Sequence, residues 1–381
     1  MRFSAAEGLG PCAARVWKKR ALGWEASQVQ ALLERASSVN AHSKWTRSLI
    51  ASRCPGAASA SVIHYGGSVE GLPEDPSGGE GAPGPYILCV ARIAKHKGLD
   101  IMLMAFSKLV EEGEGAHLVL CGEDYSDGHL GRVIRLLRLE GRVHYLGRLP
   151  RGQILTLMRG CLFLAAPSRK EGMGMAIIEA MQAGKAVLAT RVGGIPELVR
   201  DGRDGILVES QDVESLTEAM RRLLRDPESR RRMGESGRER SAELGWGAAL
   251  DAYTKLYGAR GEGPLCVVLW GHLSDPTTQT MAQNIAEGLL RRGLPPVVCA
   301  WRSRWSEPFR SVEDGVVCYR LGLPCMGWPL LDDLVMLSQL LWIRRMERAG
   351  LWHAFILNYV RLRGLVWFAG LTKDRPLLTL A

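Results

Sequence analysis

Short apolar runs punctuate the middle of the chain at a regular interval. Tyr86–Ala91, Leu118–Cys121, Val143–Leu146, Leu162–Ala166 and Ala186–Thr190 each have the length of a strand, and helical patterns such as Asp100–Glu112 and Met175–Ala183 separate them. Strands alternating with helices predict a parallel, doubly wound sheet. Helical periodicity from Val213 to Tyr257 closes this unit, which spans 86–258.

The flanks read differently. From Gly66 to Pro85 the chain is dominated by glycine, proline and acidic residues with little to bury, the composition of an interdomain linker, and 258–264 is a second glycine-rich break. Beyond it the pattern predicts strands at Leu265–Trp270 and Pro296–Ala300 with a helix, Thr278–Arg292, between them. Ahead of the first linker it predicts helices at Ala26–Ala36 and Ser43–Arg53 and a strand at Ser61–Tyr65. Neither flank, 1–85 or 264–381, has enough chain for a core of its own. One complete α/β unit is therefore expected between two incomplete pieces.

Composition narrows the partners. With 381 residues, 46% hydrophobic, the chain can bury the cores of two α/β units, and its formal charge of +9 favours an anionic partner. No lysine-arginine tract marks a nucleic-acid arm, so the charge is read as phosphate affinity or attraction to a membrane surface. The nine cysteines are odd in number, lack a C-x-x-C pair and stand mostly in apolar surroundings, as in a reducing compartment. There is no signal-type apolar core near Met1 and no charge-free run of roughly 18 residues, so a cytoplasmic protein without a membrane span is expected.

The densest chemistry lies in the run from Pro167 to Gly184. Glu171 and Glu179 close an E-x7-E frame; the first follows a short apolar strand in a loop with glycines at 172 and 174, and the second falls in the helix that the loop opens. Such a junction suits a sugar joined to a diphosphate, because glycines and a helix start offer bare backbone N–H groups at the positive end of the helix. Arg92 and Lys97 bracket the turn after the unit's first strand, at the carboxyl edge where open α/β sheets bind ligands.

The stretch from Glu171 through Gly184 to Gly202 resembles the donor-site signature of family 4 retaining glycosyltransferases with the GT-B fold, and Ala91-Arg-Ile-Ala-Lys-His-Lys-Gly-Leu-Asp100 is similar to that family's arginine and lysine-glycine motif. The resemblance covers about 86–258 and implies a Rossmann-like donor domain. It implies that Arg92 and Lys97 hold the diphosphate of a nucleotide-diphosphate sugar, that Glu171 lies by the donor sugar, and that Glu179 accepts hydrogen bonds from the ribose. Gly172, Met173, Gly174 and Met175 would contribute main-chain N–H groups, the two methionines standing where aromatic and aliphatic residues are more usual. The co-substrate is the nucleotide sugar, with no further cofactor; no D-x-D pair stands at a strand end, so no bridging metal is expected. Gly193-Gly194 is read as a tight turn outside the site, and His96 as an exposed loop histidine.

Segments 37–69 and 264–381 resemble the end and the beginning of the family's acceptor-side domain, also Rossmann-like, so the usual order is reversed. A circular permutation and a slice from a tandem array both produce that order. The glycine-rich loop usual after the first acceptor-side strand is absent, and His272 is a candidate substitute for the family's acceptor-side histidine. Leu351–Leu371 mixes aromatic and basic residues, Trp328–Trp342 is a largely apolar run between two tryptophans, and both are read as helices, either buried or lying on a bilayer surface. The resemblance implies a retaining transferase moving a hexosyl unit to a glycan, lipid or small-molecule acceptor, cytoplasmic and in peripheral contact with membrane. The alternative is a non-catalytic nucleotide-sugar-binding module or a fragment of a tandem glycosyltransferase array.

Overall fold

A computed structural model describes residues 38–52, 55–64 and 84–258, the pair 290–291, and the strand segments 265–272, 296–301, 310–313, 316–321, 354–358 and 377–380. In chain order the first elements are β1 (Ser38–Ala41), α1 (Lys44–Ala51) and β2 (Ser61–Val62). Then come β3 (Tyr86–Val90), α2 (Leu99–Glu111), β4 (His117–Cys121), α3 (His129–Leu136), β5 (Val143–Tyr145), α4 (Arg151–Gly160) and β6 (Leu164–Ala166). These are followed by α5 (Met175–Gln182), β7 (Val187–Thr190), α6 (Ile195–Leu198), β8 (Gly205–Val208), α7 (Val213–Arg225), α8 (Pro227–Ser241) and α9 (Trp246–Gly258). The last strands are β9 (Leu265–His272), β10 (Pro296–Trp301), β11 (Arg310–Glu313), β12 (Val316–Leu321), β13 (Ala354–Asn358) and β14 (Leu377–Leu380).

The chain divides into two compact units, one made of 43–45 and 64–249, the other of 1–42, 46–63 and 250–381. The first holds a six-stranded sheet in the order β5-β4-β3-β6-β7-β8, with every pairing parallel. Its central strands, β3, β6 and β7, are largely apolar because both faces are covered. Ile87 and Cys89 join a core with Met102, Leu103 and Phe106 of α2 and with Leu216, Met220 and Leu223 of α7. Tyr86 and Leu88, pointing the other way, join Leu157 and Met158 of α4 and Ile177, Ile178 and Met181 of α5. The strand order reverses between β3 and β6. Loops leaving the carboxyl ends of those two strands therefore diverge and leave a crevice between them, the place where open α/β sheets take ligands.

The second unit holds an eight-stranded sheet in the order β11-β12-β10-β9-β13-β14-β1-β2. All its pairings are parallel except that of β11 with β12. Strands from both flanks of the sequence share this one sheet: Ser38 to Ala41 pair in register with Leu377 to Leu380. The flanks that are each too short for a core thus contribute to a common layer. One expectation is corrected here. Ala354–Asn358, inside the stretch read as a helix over Leu351–Leu371, is a strand between β9 and β14. A run of four apolar residues closed by an asparagine is too short to carry a periodicity, and the mixed aromatic and basic residues around it gave the helical reading more weight than its length allows. Trp328–Trp342, Ala26–Ala36, and Thr278–Arg292 apart from its last residues lie outside the described residues. Among the described residues no helix is long and apolar enough to cross a membrane.

Candidate functional site

The crevice is built by two loops. After β3 the backbone stays bonded to the neighbouring strand's exit, Ile93 N–H donating to the Glu123 carbonyl at 2.8 Å, and then tightens into a 3-10 turn at Lys95–Lys97. Gly98 ends that turn with φ 67° and starts α2. After β6, Pro167 to Gly174 form the second loop, and Gly174, at φ 92°, precedes the first turn of α5. No side chain caps that helix start and no carboxylate stands in its first turn, so its N–H groups and the positive end of its dipole face an approaching anion.

Lys97 and Glu171 meet across the crevice: Lys97 Nζ lies 2.5 Å from Glu171 Oε2, with both side chains mostly buried. Ser168 Oγ donates to the same carboxylate oxygen at 3.4 Å. Arg92 is exposed at the rim of the β3 loop. The three charges converge on His96: burial and the positive charges of Lys97 and Arg92 lower its pKa, and Glu171 raises it. His96 is half-buried rather than exposed, and its carbonyl oxygen accepts the Arg169 N–H at 2.8 Å. Of the sequence-predicted residues, Lys97 and Glu171 are therefore brought together at the reversal of strand order, while Arg92 lies exposed on the loop that carries Lys97.

Glu179 sits deeper, on α5, and is buried. Arg151 at the start of α4 donates to its Oε1 at 2.8 Å, an ion pair that sequence reading did not anticipate. Burial pushes the Glu179 carboxyl up, and the Arg151 charge and hydrogen bond oppose that rise. Met173 is buried in the core beneath α5, Met175 is half-buried at the first position of the helix, and Gly172 is half-buried in the loop. The methionine side chains thus anchor the loop and the helix start to the core.

Gly193 and Gly194, read as a plain turn, belong to the support of the loop. Gly193 has φ 58°, and a Cβ there would overlap the Glu171 carbonyl; Gly194 N–H donates to that carbonyl at 3.2 Å. Ser43 Oγ, in the same unit, donates to the Gly172 carbonyl at 3.1 Å, while Glu197 accepts the Lys44 and Trp45 N–H groups at 2.8 and 2.9 Å. The signal available in the sequence was the glycine pair itself, which marks close backbone approach as well as a turn. A separate cavity of about 320 Å³ opens between α2 and α3, lined by Ile93, Leu99, Tyr125 and His129, and touches neither Lys97 nor Glu171. No group of residues able to hold a metal ion occurs among the described residues.

Comparison with known proteins gives this geometry a context. Residues 74–240 match the family described as Glycosyl transferases group 1. An uncharacterized glycosyltransferase of Methanocaldococcus jannaschii is 34% identical over 173 residues, covering 45% of this chain and 47% of the relative. A D-inositol 3-phosphate glycosyltransferase of Corynebacterium diphtheriae is 30% identical over 175 residues, covering 44% of this chain and 41% of that protein. The chain spans under half the length of these curated relatives. Among solved structures, Anabaena HepE in complex with UDP and glucose superposes with a TM-score of 0.53 at 23% identity, over 58% of this chain and 62% of that one. The match to that family is thus confined to 74–240, and the parallel Rossmann-like sheet there matches solved structures of the GT-B fold expected from the sequence.

Proposed function

We propose that this chain is a retaining glycosyltransferase that moves a hexosyl unit from a nucleotide-diphosphate sugar to an acceptor hydroxyl. The observation that carries the reading is the Lys97–Glu171 pair beside the uncapped start of α5 at the β3–β6 reversal, with Arg92 on the same loop as Lys97. As the bond between the anomeric carbon and the diphosphate oxygen breaks, negative charge grows on the leaving group. Lys97, Arg92 and the α5 N–H groups stabilise that charge in place, without reorganisation at the moment of reaction. Glu171 orients a sugar hydroxyl and favours positive charge at the anomeric carbon. The acceptor oxygen bonds to that carbon on the face the diphosphate leaves and gives its proton to the departing phosphate oxygen. Glu179 accepts from the ribose, since Arg151 occupies only one of its two oxygens.

On this reading the chain's own cations balance the diphosphate, and transfer persists in a chelator. The sheet shared by 38–62 and 265–380 is the acceptor-side domain, and the acceptor is a glycan, lipid or small molecule, reached in the cytoplasm or at a membrane surface. Relatives with named acceptors include enzymes acting on D-inositol 3-phosphate and L-malate, and the Anabaena structures hold UDP and UDP-glucose, so uridine nucleotides are the first donors to test.

Titration calorimetry with UDP, GDP and ADP tests the donor site, and sugar-transfer and donor-hydrolysis assays test the chemistry. Binding of one of them, weakened by Lys97→Ala, with transfer above background supports the proposal. Donor binding without either reaction favours a nucleotide-sugar-binding module, a reading to which the missing glycine-rich loop after β9 lends weight.

A further inference from the structure

Lys97 and Glu171 belong to different loops, and something must hold those loops at a fixed separation. Asp100, in the first turn of α2, and Arg169, in the loop after β6, do so. The Arg169 guanidinium donates to both Asp100 carboxylate oxygens, Nη1 at 2.7 Å and Nη2 at 2.8 Å, and Nη1 also donates to the Lys95 carbonyl at 2.7 Å. Its backbone N–H and that of Lys170 both donate to the His96 carbonyl, at 2.8 and 3.3 Å. The β3 loop is thus gripped on both sides of Lys97, at Lys95 and at Asp100, by a residue two positions before Glu171. The Arg169 side chain is 17% exposed and that of Asp100 39%, so the guanidinium end of the grip is shielded while the carboxylate end reaches solvent.

Resting on the diphosphate reading above, we infer that Arg169 is a positioning residue whose fork to Asp100 and Lys95 sets the Lys97–Glu171 spacing across the donor crevice. Only a planar guanidinium meets this demand, because two parallel N–H bonds fix orientation as well as distance, whereas an ammonium is a point charge free to pivot. The effect reaches the donor indirectly, through Lys97 and Glu171. The Asp100 carboxyl is correspondingly held well below the usual carboxylate range, first by its hydrogen bonds from Arg169.

The test uses the full chain and four variants: Arg169→Lys, Asp100→Asn, their double, and the exchanged pair Asp100→Arg with Arg169→Asp. UDP, GDP and ADP affinity, kcat and KM for the donor, and Tm are measured for each. Misplacing one loop against the other lowers kcat on the order of 100-fold in either single variant, and the double is no worse than the worse single. The exchanged pair recovers part of the loss, and Tm changes far less than turnover does. Singles within twofold of wild type in affinity and kcat, losses that multiply in the double, or a fall in Tm with no change in kcat each overturn the clamp alone. If Arg169→Lys does not fold, the near-isosteric Asp100→Asn decides by the same criteria. A wild-type chain that binds none of the three nucleotides overturns the donor reading, and this inference with it.

Discussion

Lys97 Nζ and Glu171 Oε2, 2.5 Å apart, are each other's counter-charge. A diphosphate entering the crevice competes with Glu171 for that ammonium. Neutralising the carboxylate therefore has opposite effects on binding and on chemistry. Glu171→Gln is expected to bind UDP as tightly as wild type or up to about tenfold more tightly, since it frees Lys97, while turnover falls on the order of 100-fold with the loss of the group beside the sugar. Calorimetry and a transfer assay on the same preparation check both halves; a parallel loss of the two would show Glu171 serving the diphosphate instead.

The ribose assignment of Glu179 makes a prediction about ligand chemistry rather than about affinity alone. Wild type should prefer UDP to its deoxyribose counterparts, and Glu179→Ala should bind all of them equally, after a loss of roughly 1.5–3 kcal/mol for a charged hydrogen bond. Competition binding with 2′-deoxy and 3′-deoxy UDP reads this directly. Arg151 is left beside an empty space in the variant, so Glu179→Gln, which keeps volume and an acceptor, should lose less.

Gly193→Ala places a Cβ against the Glu171 carbonyl in a left-handed backbone conformation, where a side chain alone costs about 1–2 kcal/mol. A fall in Tm of at least about 4 °C is expected for a unit of this size, with weaker nucleotide binding because the Glu171 backbone must shift. Thermal melts with and without UDP test it, and a variant with unchanged Tm would mean the loop yields freely.

Asp204 is fully buried and held by Arg200 through two bonds of 2.6 and 2.7 Å and by Ser236 at 2.9 Å. Burial pushes its carboxyl up, but these hydrogen bonds outweigh it and the pKa ends below the ordinary value. A depressed carboxylate contributes stability above its unfolded pKa of about 3.9 and loses it as pH falls through the lower folded value. Asp204→Asn should cost about 2–3 kcal/mol at neutral pH, less than a wholly buried pair because Arg200 is 39% exposed, and the gap from wild type should narrow below about pH 3.9. Urea denaturation at pH 7 and pH 3 compares the two.

The six-stranded unit was legible because its central strands are buried on both faces and so read as apolar runs, and because glycines and glutamates at fixed spacing mark the loop into α5. Observed boundaries move by a residue or two: β3 ends at Val90 rather than Ala91, and α2 begins at Leu99 rather than Asp100. Arg169 left no trace, since a lone arginine in a loop has no periodicity and its partner Asp100 lies in another element. Arg151 hid in the same way behind the helical pattern of α4. The Ala354–Asn358 strand was missed because four apolar residues among tryptophans and arginines fit a helix face as readily as a covered strand. Pairing of Val39 with Leu378 was beyond local patterns altogether, for register between distant segments is set by the assembled sheet.

That pairing has a consequence for biogenesis. On the ribosome, β3 to β8 emerge as a contiguous block and can complete their sheet while translation continues, whereas β1 has no partner on one side until residues 377–380 are made. Until then its unfilled ladder is an exposed strand edge, the kind of surface that attracts other nascent chains. Chaperone dependence should therefore be concentrated in the eight-stranded layer, and loop-closure entropy makes its last pairing the slow step of maturation.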